Sequence, residues 1–435
     1  MIDKTREIAL KILYKIEKEN AYSNIVLNDE IKINKKFLKE QDIGLISEIV
    51  YGVTTWKLTL DEIIKKYSKI KLKKISDWIL NILRMGVYQI VFLDKIPKSA
   101  AVNESVNLAK RYGHYSSSNF VNAILRKVEK CDFEEFFQIE DDIERISKTT
   151  SMPEWIINEL LTNNNIKTVE DICKNSNLRP NVTIRINTLK TTKNEIIKKL
   201  GEKGINYRET KYNDFLILDK VKDIEKLDLI KNGFVTVQDI SAGLAAINLE
   251  PSKGEKILDA CSAPGGKTTY IAEMMQNDGE ILAWDIHEHR TKLIENNAKR
   301  LGIDIIKTQE KDATIYDESL NEKFDKILLD VPCLGIGVIK RKPDIKWNRK
   351  LEDVKEITEI QQKILTSCSK YLKPGGVLIY STCSILKEEN EDIINNFLKE
   401  NREFEIKENN LITILPDEEK DGFFICKLQK KQILH

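Results

Sequence analysis

The chain has 435 residues, 32% of them charged, and Lys+Arg 70 against Asp+Glu 69 leaves a net charge of only +1. That length predicts two or three domains rather than one core, and the balanced charge excludes attraction to nucleic acid by the whole-molecule field, leaving only local patches. The first 20 residues alternate charge with apolar side chains, against a signal peptide or membrane anchor, and seven cysteines without a CxxC pair argue against a disulfide framework or a structural metal site.

A cytoplasmic, metal-free monomer away from membranes is therefore expected. Over residues 5–128 apolar side chains recur at helical spacing, as in Ile8, Ile12, Leu13 and Ile16, and again in Ile79, Ile82, Leu83, Val87 and Ile90. This region reads as an all-helical domain, residues 1–132, broken at turns such as 96–99 and 112–114. The acidic stretch 132–144 reads as a linker. Residues 155–161 predict a short helix, 181–187 a strand, 193–200 a helix and 215–218 a strand, a small α/β domain spanning 145–232.

From 233 to 435 short apolar runs alternate with helical stretches. Strands are predicted at 256–259, 280–285, 324–330 and 376–381, the pattern of a doubly wound Rossmann-like sheet, with 422–428 as an edge strand. The fold class expected is multidomain: all-α, then small α/β, then Rossmann-like α/β.

The first strand of that last domain runs into a Gly-rich turn, Cys261, Ser262, Ala263, Pro264, Gly265, Gly266 and Lys267, before a helix over 268–275. Backbone amides at such a turn meet nucleotide-like ligands. A phosphate-binding loop would need glycine where Cys261 stands, and a dinucleotide fold would need G-x-G-x-x-G; neither is present. A cofactor without phosphates fits better. Asp285 and Asp330 close predicted strands and Asp312 follows another, so the three acids line one edge, where carboxylates can accept from ribose hydroxyls or an adenine amino group.

Cys333 and Cys383 also stand just beyond strands, on the side where open sheets bind ligands. Pro332 stiffens the approach to Cys333, and Gly335 and Gly337 allow a close-fitting loop behind it. Ser381, Thr382 and Ser384 bracket Cys383 with hydroxyls, ahead of a helix near 388–398. The residues alone leave catalytic and inert roles open for both thiols. Cys131, Cys173, Cys368 and Cys426 read as inert and buried. Lys340, Arg341 and Lys342, with Trp347 nearby, suit RNA phosphates and a stacked base, or equally a solvated loop with a packed tryptophan. The lysines between 65 and 74 read as a solvated face, and His287 and His289 as surface residues at a helix start.

Four blocks carry a resemblance: DACSAPGGKT at 259–268, DVPCLGIGVIKRKPDIKW at 330–347, YSTCS at 380–384 and DGFFICKL at 421–428. With the helical beginning, they resemble the bacterial ribosomal RNA cytosine-5 methyltransferases of the RsmB/Sun type, which carry an N-terminal domain similar to the antitermination factor NusB. The resemblance implies that Cys383 is the nucleophile, that Cys333 helps release product, and that residues 261–267 with Asp285, Asp312 and Asp330 hold S-adenosylmethionine. It implies small-subunit (16S) ribosomal RNA as partner. Asp330 is also expected to hydrogen-bond the cytosine edge. The chain departs from the family's D-A-P-C-S-G-T-G at Val331, Leu334 and Ile336, dropping two hydroxyls from that loop. Two alternatives stand beside this expectation, a transfer RNA methyltransferase of the same type and a non-catalytic NusB-like RNA-binding protein.

Overall fold

The computed structural model describes residues 3–19, 21–130, 137–219, 221 and 227–432. The chain forms two compact units, Met1–Asn177 with Ile339–Lys350, and Leu178–Val338 with Leu351–His435.

The first unit is helical. Helix Asp77–Phe92 is buried on every side, through Ile79, Leu80, Ile82, Leu83, Met85, Val87 and Ile90, which marks it as the centre of its bundle. Around it lie Lys4–Glu19, Glu40–Thr55, Lys57–Tyr67, Lys98–Tyr112 and Tyr115–Val128, all sharing one apolar core. Part of the expected linker, residues 132–136, and Cys131 lie outside the described residues; the chain is helical again from Asp142.

The second unit holds two sheets. β1 (Val182–Ile186), β2 (Tyr207–Glu209), β3 (Phe215–Leu218) and β4 (Val235–Val237) form an antiparallel sheet in the order β2-β3-β1-β4. Helix Lys193–Glu202 begins on a reciprocal cap between Thr192 and Glu195. The larger sheet contains β5 (Lys256–Asp259), β6 (Glu280–Asp285), β7 (Ile306–Glu310), β8 (Phe324–Asp330), β9 (Leu372–Thr382), β10 (Phe404–Ile414) and β11 (Phe423–Lys430), in the order β10-β11-β9-β8-β5-β6-β7. β5 to β9 are mutually parallel, and β11 and β10 continue antiparallel. Core clusters cover both faces, so the central strands read as unbroken apolar runs.

Two features differ from expectation. The segment predicted as an edge strand is β11, which is paired on both sides, while β10 forms the edge. The run Phe423, Phe424, Ile425 and Cys426 is wholly buried, covered on both faces of the sheet. The span 145–232 is also divided. Its helices up to Asn177 cluster with the first unit, where the Thr59 hydroxyl donates to the Lys148 carbonyl at 2.7 Å and the Ser151 hydroxyl accepts from the Leu58 N–H at 2.9 Å. Its sheet clusters with the Rossmann-like part, where the fully buried Arg185 of β1 pairs with Glu273 at 2.9 Å.

Candidate active site

Parallel strands bring their carboxyl ends to one edge, so the order β9-β8-β5-β6-β7 decides which residues are neighbours. Along that edge Cys383 follows β9, Asp330 closes β8, Cys261 lies just past β5, Asp285 closes β6 and Asp312 lies just past β7.

The turn after β5 is tightly held. Ser262 donates both its N–H and its hydroxyl to the Trp284 carbonyl, at 2.8 and 2.7 Å. The Ala263–Pro264 peptide is cis, and Gly265 sits at φ 96°, a conformation that favours glycine. Helix Gly266–Met274 starts there, with amide donors that lack intrahelical acceptors. Arg290 donates to the Ala263 carbonyl at 3.2 Å, Asn297 to that of Pro264 at 2.9 Å and Arg185 to that of Gly266 at 2.7 Å. Asp285 is buried, 3.3 Å from Arg290, and accepts the His287 N–H at 3.1 Å; beside it Ile286 is 53% exposed, an apolar surface on an otherwise acidic edge. Asp312 uses Oδ1 to accept the N–H and hydroxyl of Thr314, at 2.9 and 2.7 Å.

The register between β8 and β9 explains why two thiols meet. Asp330 lies opposite Ser381, and both strands then turn out of the sheet into the loops that carry Cys333 and Cys383. The two thiols are close enough for the Cys383 sulfur to be the first influence on the ionisation of Cys333. The Gly337 N–H donates to the Cys383 carbonyl at 3.0 Å and holds the second half of the Cys333 loop against Cys383. Asp330 stands between thiols and turn: Oδ2 is 2.7 Å from Lys267 Nζ, and Oδ1 accepts the Ser381 hydroxyl at 2.9 Å.

Burial alone would lower the Lys267 ammonium, but Asp330, with a further contribution from the Cys383 sulfur, holds it above the usual lysine range. The neighbouring Cys383 sulfur and burial, aided by the charges of Glu389 and Asp330, hold the Cys333 thiol well above the usual thiol range. Burial does the same to Cys261, which is half-buried in the turn. Cys173, Cys368 and Cys426 are buried, each pushed up to about 12 by that burial, the condition of inert packing thiols.

The basic run does not share one exposed face. Lys340 is buried, Arg341 half-buried and Lys342 exposed, and the segment belongs to the helical unit. Trp347 is half-buried and donates its indole N–H to the Thr54 carbonyl at 2.7 Å, which matches the packed alternative for that side chain. His287 and His289 are exposed at the start of helix Glu288–Leu301. Sequence reading missed Gln361, Glu389 and Asn390, which are fully buried beneath the two cysteine loops. In the string KEENED at 387–392 such acids look solvent-facing, and nothing local marks them as interior. Among the described residues no cluster of three or more potential ligands could hold a metal, and no helix is long and apolar enough to cross a membrane.

Comparison with known proteins agrees with this geometry. The family described as 16S rRNA methyltransferase RsmB/F matches residues 246–429, the NusB family residues 3–130, and the RsmF/B-like ferredoxin-like domain residues 152–225. The probable ribosomal RNA small subunit methyltransferase B of Bacillus subtilis (strain 168) is 38% identical, covering 98% of each chain, and that of Synechocystis sp. is 32% identical, covering 98% of this chain and 99% of the other. The crystal structure of PH0851 superposes with a TM-score of 0.82 at 27% identity, over 99% of this chain and 100% of that one. A methyltransferase homologue from Pyrococcus horikoshii, 28% identical, matches with a TM-score of 0.59 over 67% of this chain and 100% of its own. With a NusB-like helical beginning, a ferredoxin-like sheet and a methyltransferase sheet in one chain, at that identity over nearly its whole length, the protein belongs to the ribosomal RNA small subunit methyltransferase B family.

Proposed function

We propose that the protein methylates carbon 5 of a cytosine in small-subunit ribosomal RNA, with S-adenosylmethionine as methyl donor and Cys383 as covalent nucleophile. The observation that carries this reading is the pair of cysteine loops at the ends of adjacent strands, held together by the Gly337 N–H on the Cys383 carbonyl, with Asp330 between them bonded to Lys267 of the helix that follows the Gly265–Gly266 turn. The substrate follows from relatives named for the ribosomal small subunit.

The donor set fits the cofactor. An edge with Asp285, Asp312 and Asp330, an exposed Ile286 and a helix start suits a ligand that has hydroxyl and amino donors, a flat ring, a positive charge and no phosphates. Residues 261–267 with those three acids would hold it. When bound, it supplies an electrophilic methyl group on a sulfonium.

Carbon 5 of cytosine is a weak nucleophile, so a thiolate must first add to carbon 6 and move electron density onto carbon 5. We assign that attack to the Cys383 sulfur, with Asp330 accepting from the cytosine amino group and the Lys267 ammonium balancing its charge. Once carbon 5 carries the methyl group, a water molecule takes its proton, the carbon–hydrogen electron pair restores the carbon 5–carbon 6 double bond, and the carbon 6–sulfur bond breaks with its electrons leaving on the Cys383 sulfur. We assign to Cys333, whose thiol is held well above the usual range, a hydrogen bond to the departing Cys383 sulfur. The cytosine must leave its stack to reach this edge. Of the basic run, Lys342 is the exposed member we assign to a phosphate contact.

Cys383→Ala should abolish methyl transfer, whereas Cys333→Ala should still attack and then accumulate protein bound to RNA. Denaturing gels after incubation with ribosomal RNA and cofactor, read beside mapping of 5-methylcytosine, check both. Methylation by Cys383→Ala, or adduct in that variant rather than in Cys333→Ala, would overturn the assignment.

A further inference from the structure

Beneath the two thiols lies a carboxylate that the chemistry above does not use. Glu389 is fully buried in the short turn Lys387–Glu389. Its Oε2 accepts the N–H of Leu334, the residue after Cys333, at 2.9 Å. Its Oε1 accepts the hydroxyl of Ser384, the residue after Cys383. Each oxygen therefore holds the neighbour of one cysteine. Gln361, on helix Glu352–Ser369, donates from one amide nitrogen both to Glu389 Oε2 at 3.1 Å and to the Pro332 carbonyl at 2.9 Å. From β9 the Tyr380 hydroxyl donates to the Glu389 carbonyl at 2.7 Å. Asn390 completes the Cys383 side, accepting from the Thr382 hydroxyl at 2.6 Å and donating to the Ser384 carbonyl at 3.1 Å.

A carboxylate buried in this way is costly unless its donors are well placed, and truncating it leaves those donors unsatisfied. A site needed only to fill space between two loops is filled more cheaply by apolar side chains. We propose that Glu389 is a positioning residue of the two-thiol centre: its two oxygens tie the Cys333 loop to the Cys383 loop and set the distance between the sulfurs. Glutamine at this position keeps the shape. Its carbonyl oxygen accepts from Leu334 and Gln361, and its NH2 group meets the Ser384 oxygen, which turns to accept. Alanine removes both side-chain oxygens and leaves only the backbone carbonyl that accepts from Tyr380.

The proposal rests on the reading of Cys333 and Cys383 as the working pair, so its test includes a readout independent of methylation. Diamide converts two adjacent thiols to a disulfide; its N=N bond is reduced to a hydrazine that takes up both thiol protons. The rate of forming the Cys333–Cys383 disulfide in the full chain, followed by peptide mass mapping, reports their spacing without RNA or cofactor. Glu389→Ala should cross-link about tenfold more slowly than the parent and lose roughly 100-fold in kcat, the scale expected when reacting groups shift by an ångström, with KM for RNA little changed. Glu389→Gln should restore cross-linking to within about threefold, a rescue that bulk destabilisation does not predict. Ser384→Ala, which cuts one arm, should fall between them and serves in place of Glu389→Ala if that variant does not fold. Cross-linking at the parental rate in a folded Glu389→Ala, or in Ser384→Ala when it stands in, overturns the proposal. If methylation fails in the parent while the cross-linking pattern holds, the functional reading falls and the positioning role survives.

Discussion

Asp259, at the end of β5, is a buried carboxyl at the edge of the sheet that carries the site. It is 1% exposed, and the Thr268 hydroxyl donates to its Oδ2 at 2.7 Å. Burial outweighs that hydrogen bond, the charge of Asp330 adds to it, and the carboxyl is pushed up from 3.8 to about 7. The folded protein thus keeps this proton until about pH 7, whereas the unfolded chain releases it near 3.8. Between those values the folded state binds more protons, so this contribution to stability is full below pH 3.8 and is lost as the pH rises through 7. Asp259→Asn keeps an oxygen for Thr268 and cannot ionise. The melting temperature of Asp259→Asn relative to the parent should therefore climb between pH 5 and pH 8. A difference that stays constant across that range would show that Asp259 does not carry this titration.

At the level of elements, the site depends on two loops leaving adjacent strands at matched positions, and Gly337 shows how closely they pack. A Cβ on Gly337 would lie 2.2 Å from the Gly422 carbonyl oxygen and 2.8 Å from that of Cys383, both backbone atoms with no side chain to move aside. The Gly337 carbonyl in turn accepts the Gly422 N–H at 2.8 Å, so three segments meet at this point. Gly337→Ala should cost roughly 1–3 kcal/mol as an overpacked site. It should also slow turnover more than that destabilisation explains, because relief requires moving Cys383; denaturant unfolding and kcat measured together decide the point. Much of this arrangement was legible in the sequence. Parallel buried strands show themselves as short apolar runs, and Asp285, Asp330 and Cys383 stand where those runs stop. Gly335, at φ 82°, and Gly337 read correctly as a tight loop, although only the structure distinguishes the one that needs left-handed backbone from the one that needs space. β10 escaped detection because the polar run Lys407 to Asn410 interrupts its apolar pattern where the pairing with β11 shifts register between Ile406 and Leu411. β11 was misplaced at the edge because an apolar run shows cover on both faces but not how many strands flank it. Glu389 escaped for the opposite reason: its acidic neighbours made a buried acid look like one more exposed one.

At the scale of the whole molecule, the chain enters the helical unit twice, first as Met1–Asn177 and again as Ile339–Lys350, shortly after Cys333. The second visit is well anchored there. Lys346 is 1% exposed, donates to the Thr55 carbonyl at 3.1 Å and to Asn177 Oδ1 at 2.6 Å, and is pulled down to about 7 by its burial. Asp344 accepts the N–H and hydroxyl of Ser23, at 3.1 and 2.6 Å, in the first turn of helix Ser23–Asn34. Tyr22, the residue preceding that helix, offers it no side-chain cap, so the acceptor comes from 321 positions further along the chain. A carboxylate is well suited to the place, since helix starts carry unpaired amides and a partial positive charge. The helical part is therefore complete only with a segment encoded far downstream. Asp344→Ala in the full chain should lower the stability of that unit by roughly 1–2 kcal/mol, the usual cost of losing such a cap. It should also expose residues 339–350 to trypsin at Lys340 and Lys346, which are buried in the parent, whereas Asp344→Asn, which retains one acceptor, should be cut more slowly. Limited digestion followed by mass spectrometry measures this, and identical cleavage of parent and Asp344→Ala would mean that the segment is held by its apolar contacts, Ile339 and Ile345 foremost, rather than by the cap.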